Sequence, residues 1–191
     1  MLAPSGLYAH CDGLDGPVVT AARKALETGN VNLILIWVQK DDEAAIRKAF
    51  TDVLAVRKLG PQAKEMADMY FFETLVRIHR AGEGAPYTGL KPVGRDLGPA
   101  IPAADKALED GNIDPLIKLV TDGVQKGIQE RFEKARAEKN YNKDDVQAGR
   151  EYIEAYVMFI HYVEALYETS QSPAKGHFPE GEQVGAHGDE H

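Results

Sequence analysis

Apolar positions along this chain recur every three to four residues, in segments bounded by helix punctuation. "PVVTAARKALETGN" (17–30) opens on Pro17, suited to a first helical position, and closes on Gly29-Asn30. "VNLILIWV" (31–38) is short and strongly apolar and predicts a buried helical piece. "DDEAAIRKAFTDVLAVRKLG" (41–60) carries acids in its first turn and a glycine at its end, and "PQAKEMADMYFFETLVRIHRAG" (61–82) repeats that grammar. A loop rich in Gly and Pro, "EGAPYTGLKPVGRDLGP" (83–99), follows. Helices resume over 99–111, 113–138 and 143–170. The last stretch, 171–191, has no apolar periodicity and predicts a disordered tail. The fold class is therefore all-α, a helical bundle.

The pattern also repeats. "AARKALETGNVN" begins at Ala21 and "AADKALEDGNID" at Ala103, an offset of 82 residues. The register holds beyond this stretch: Gly16-Pro17 falls on Gly98-Pro99, Phe50 on Phe132, Tyr70 on Tyr152, and Ile78-His79 on Ile160-His161. Helical bias alone would not place a Gly-Asn stop and a distant Ile-His pair in one register. The expectation is two tandem repeat units, about 16–82 and about 98–164, packed with pseudo-twofold symmetry. A single unit of this length buries little core, which favours one fused helical domain over 10–170.

Composition narrows the function. Of 191 residues, 43% are hydrophobic and 27% charged, a soluble globular mixture. The formal charge of −8 lacks the basic face of a nucleic-acid binder. No apolar run reaches the ~18 residues of a membrane span. One cysteine, Cys11, rules out an intramolecular disulfide. Residues 1–9 predict a residual signal or processing segment, with Ala9 suited to the position before a cleavage that would make His10 the mature N-terminus.

Candidate chemistry gathers at two places. His79 and His161 occupy equivalent repeat positions, and helical spacing sets each above the residues three, four and seven back: Val76, Leu75 and Phe72 for His79, and Met158, Val157 and Glu154 for His161. Both are expected to face apolar surfaces, either as core histidines or as a ligand pair across the repeat interface. Glu164 shares a face with His161. The second place is "AHCDGLDGP" (9–17), where His10, Cys11, Asp12 and Asp15 offer imidazole, thiolate and carboxylate donors within six positions. Asp15 is alternatively the N-cap of the helix at Pro17. Tyr87, in the glycine-rich loop after His79, is a candidate donor or ligand if that loop covers a metal site; otherwise the loop is a linker. The tail histidines His177, His187 and His191 predict a solvated segment.

The HCD start followed by Gly16 resembles the nickel-binding hook of nickel superoxide dismutases, small exported helical bundles with an HCxxPCG start. His10, Cys11, Asp12 and Gly16 match; Leu14 replaces the Pro, and Asp15 stands where the second, ligating Cys belongs. Over most of its length the chain resembles an uncharacterised family of small exported bacterial proteins carrying "AHCD-x-x-DGPV", "ALETGNVN" and "FFETLVRIHRAGEGAPYTGLKP". That resemblance implies a signal peptide removed before His10, and so a periplasmic or secreted location.

These readings give an exported metal-binding protein. His10, Cys11, His79 and His161 are its main ligand candidates, with Asp12, Asp15 and Glu164 secondary and Cu, Ni or Zn as the metal. An enzyme version adds redox or hydrolytic chemistry at the metal; a haem version uses His79 and His161 as axial ligands without a C-x-x-C-H attachment. The competing class is a structural scaffold, with "NLILIWV" as a homo-oligomer interface.

Overall fold

The computed structural model describes residues 10–172. The expected processing segment 1–9 and the tail histidines lie outside them. Seven α-helices account for most of the described residues, and the only β-pairing among these is an isolated parallel bridge between Gly13 and Lys91. The chain divides into two compact units, the first running to Leu97 and the second starting at Gly98.

The first unit contains helices α1 (Pro17–Thr28), α2 (Asn32–Leu35), α3 (Glu43–Val56) and α4 (Pro61–Gly82). Pro17 and Pro61 sit in the first turns of α1 and α4, where a missing N–H costs no helical hydrogen bond. Gly29 ends α1 at φ 72°, a left-handed cap that a side chain would strain. The Asn30 side chain then accepts from the Asn32 amide at 3.1 Å and turns the chain into α2. The apolar segment 31–38 does not run as one helix: after four residues it unwinds, leaving Ile34 and Val38 buried and Ile36 exposed.

The core forms where three amphipathic faces meet. Val18, Val19, Ala22, Ala25 and Leu26 come from α1, Ile46, Phe50 and Val53 from α3, and Ala67, Phe71, Phe72, Leu75 and Val76 from α4. These sets follow helical spacing, so each helix buries one stripe. Each large side chain fully buried this way contributes about 1.5–3 kcal/mol. Phe50 and Phe71 pack with ring centroids 5.7 Å apart. Arg57 ties the unit together, ion-paired to Asp68 of α4 at 2.8 Å and donating to the Leu26 carbonyl at the end of α1.

The second unit contains α5 (Ala100–Asp110), α6 (Asp114–Glu138) and α7 (Val146–Gln171). Helix α7 thus runs to Gln171, the first residue of the predicted tail. Gly111 ends α5 at φ 69°, and Asn112 accepts from the Asp114 amide at 3.1 Å. These devices fall 82 residues after Gly29 and Asn30. Where the first unit breaks after α2, however, α6 continues unbroken. Helices α6 and α7 pack as a hairpin, with Tyr162 against Gly127 and Phe132 against Phe159 at 5.8 Å between ring centroids. Among the described residues of this unit only Gly127, Ala135 and Ala155 are buried.

The candidate site at the end of helix α4

The last turns of α4 carry His79 and Arg80, both buried although α4 is near its end there. The His79 Nδ1 lies 2.8 Å from the Trp37 carbonyl oxygen. A carbonyl can only accept, so Nδ1 carries a proton, and in a neutral ring the lone pair lies at Nε2. That nitrogen lies 3.5 Å from Oε1 of Glu83, one turn on. The Trp37 ring stands edge-on to the imidazole, with centroids 5.8 Å apart. Gln39 donates to the Gly82 carbonyl at 3.2 Å and fastens the same stretch of chain to the helix end.

Arg80 connects two carboxylates. Its Nη1 donates to Glu83 Oε2 at 2.9 Å, and its Nε lies 3.4 Å from Asp12 Oδ1. Both Asp12 and Arg80 are 3% exposed. Burial raises the Asp12 pKa, and the positive charges of Arg80 and then Lys91 oppose that rise. The N-terminal segment is also held by its backbone: the Lys91 amide donates to the Asp12 carbonyl at 2.8 Å, and the Leu14 amide to the Lys91 carbonyl at 3.0 Å. One residue further on, the Asp15 carboxylate accepts from the Gly94 amide at 2.8 Å.

The loop after α4 is therefore more than a linker: residues 91–94 clamp the HCD segment onto the first unit. Tyr87 of this loop packs against the core, and burial followed by the nearby Glu73 charge raises its pKa. The expected Asp15 cap is not made. Gly16 is the N-cap of α1 without a side-chain bond, and Asp15, one position earlier, turns to the loop. At the nickel-hook position of the second cysteine there is thus a carboxylate engaged by an amide, while Cys11 is partly buried against the core. This donor set does not fit a nickel hook.

The two histidines sit in unlike surroundings, contrary to the expectation that both avoid water. His79 is buried in the first unit; His161 is exposed in the second, because the neighbouring Val157 and Met158 form an apolar face that is itself open. Glu164 is exposed as well. Among the described residues, no group of three or more His, Cys, Asp and Glu side chains is gathered as a metal site. Sequence reasoning missed Arg80, Glu83 and Trp37. The i, i+4 spacing of His79 and Glu83 was a readable signal for one of them; nothing local marked Trp37.

No helix among the described residues is long and apolar enough to cross a membrane. No curated protein and no solved structure matches the chain. A family model does match, over residues 15–162, a span that covers the helices of the first unit, reaches into α7 of the second and starts just after His10, Cys11 and Asp12. The chain belongs to the DUF6448 family, a family of unknown function.

Proposed function

We propose that the protein is an exported metal-binding helical protein, with His79 as its principal ligand, Glu83 beside it and the His10–Cys11–Asp12 segment supplying further donors. The supporting observation is the orientation of His79. Its Nδ1 is committed to the Trp37 carbonyl, the bond that fixes a metal-ligating imidazole, and Nε2 faces a carboxylate oxygen at 3.5 Å. A lone pair beside a carboxylate is stabilised by a cation between them, either a proton or a metal ion. Asp12 and Glu83 place two carboxylates beside the guanidinium of Arg80, at the same helix end as His79. An imidazole joined by a thiol would suit Cu, Ni or Zn. His161 and Glu164, in the other unit, are not needed by this reading.

The test uses protein beginning at His10. Elemental analysis after loading and calorimetric titration with Cu, Ni and Zn should show about one ion per chain, lost in His79→Gln. Trp37 is the only tryptophan and touches the His79 ring, so bound Cu(II) should also quench its fluorescence. Protein that stays metal-free by both measurements sinks the proposal.

Arg80 favours a second reading. Its guanidinium already bridges Asp12 and Glu83, so the cluster also works as a metal-free clasp in a non-catalytic scaffold. Export with cleavage after Ala9 is part of the first reading, and N-terminal sequencing of protein recovered outside the cytoplasm tests it.

We further infer that the two units descend from a duplication. The left-handed caps at Gly29 and Gly111 and the asparagine turns at Asn30 and Asn112, all in one register, support this.

A further inference from the structure

Helix α7 is apolar on two sides. One side, with Ala155, Phe159 and Tyr162, packs against α6. The other carries Val146, Ile153, Ile160 and Tyr167, spaced seven residues apart, with Tyr156 and Val157 between them. These six side chains are open to solvent, from 38% exposed at Val157 to 68% at Tyr167. A helix apolar on most of its circumference belongs inside a bundle. At ordinary side-chain areas the open face amounts to about 600 Å², close to the ~800 Å² per partner of a standard protein interface and at the upper limit for a monomer's apolar patch.

We infer that this face pairs antiparallel with the same face of a second copy of the chain, so that two α6–α7 hairpins form a four-helix bundle. Three observations select this occupant. The seven-residue spacing, with Tyr156 and Val163 in the second register position, is the seam of helices crossing at a shallow angle. The first unit already buries Phe71, Phe72, Leu75 and Ile46 in its own core, whereas the second buries no large side chain. The flanking charges are self-complementary. With the twofold axis near Val157 and Met158, Ile153 meets Val163 and Ile160 meets Tyr156 of the second copy. Arg150, exposed at the edge of the seam, then falls beside Glu164 of the second copy, and the symmetry makes this pair twice.

Light scattering and sedimentation of the full chain at ~50 μM should give the mass of a dimer, and Ile160→Glu that of a monomer. Arg150→Glu and Glu164→Arg alone should each raise the dimer dissociation constant about tenfold or more, since each sets two like charges in contact. The two reversals together should restore it. Both charged positions are exposed, and unchanged helical circular dichroism in the reversal variants would separate lost pairing from lost folding. A monomer at that concentration overturns the inference. So does a double reversal as weak as the singles.

Discussion

Arg80 and Asp12 form an ion pair in which each side chain is only 4% exposed, with 3.4 Å between Nε and Oδ1. Removing one member of such a pair strands the other charge in a poorly hydrated place. Arg80→Met should destabilise the protein by about 3–5 kcal/mol, measured by urea unfolding. Adding Asp12→Leu should recover part of that loss, because both charges are then gone. A double variant no more stable than Arg80→Met would contradict the pairing.

The protonation of Asp12 carries a sign that can be checked. Burial holds its pKa above the ordinary 3.8, so the folded chain binds this proton more readily than the unfolded chain. The stabilising contribution of this group is then fully present below the unfolded value and lost as pH rises through the folded one. Over that window Asp12→Asn should flatten the dependence of unfolding free energy on pH. Carboxyl titration by NMR should place Asp12 above 3.8 in the native chain, and an Asp12 that titrates below 3.8 would refute the assignment.

Gly16 lies against the N-terminal segment so closely that a methyl group there would run into the His10 carbonyl oxygen. Gly16→Ala should therefore displace residues 10–13 and expose Cys11, raising its reaction rate with a thiol reagent. Gly98, 82 residues on, has open space around it but a φ of 68°. Gly98→Ala should cost about 1 kcal/mol from backbone strain and leave Cys11 reactivity unchanged.

Within "NLILIWV" the structure separates two neighbours of the same type. Ile34 is fully buried and Ile36 is 70% exposed. Ile34→Ala should cost about 2–5 kcal/mol in thermal or chemical unfolding. Ile36→Lys should change stability by less than about 0.5 kcal/mol. Equal effects would mean that the segment is not packed as described.

Helix positions were legible in the sequence because their signals are local. Proline starts, glycine stops and the three-to-four-residue spacing of Val18, Ala22, Ala25 and Leu26 are contained in the segments they organise. The site was legible only in part. Asp12 and His79 are marked by residue type, but the partners that define their environment, Arg80 for one and Trp37 for the other, come from distant chain segments. Asp15 shows how one position decides the outcome. With Gly16 extended at ψ 167° as the N-cap, Asp15 stands a residue too early to bond the first turn of α1, and the loop amide of Gly94 takes its carboxylate instead. The 82-residue register likewise matches His161 to His79 in residue type but not in burial, which depends on how many helices surround the position.

The bond between Asp15 and Gly94 closes a loop of 79 residues. Contacts of such separation carry the largest chain-closure entropy and belong to the slow end of folding. During synthesis the HCD segment emerges before residues 91–94, which fasten it and follow all four helices of the first unit in the chain. Cys11 and His10 are therefore open to solvent until residues 91–94 are in place, and the segment reaches its seat late in the folding of the unit it opens.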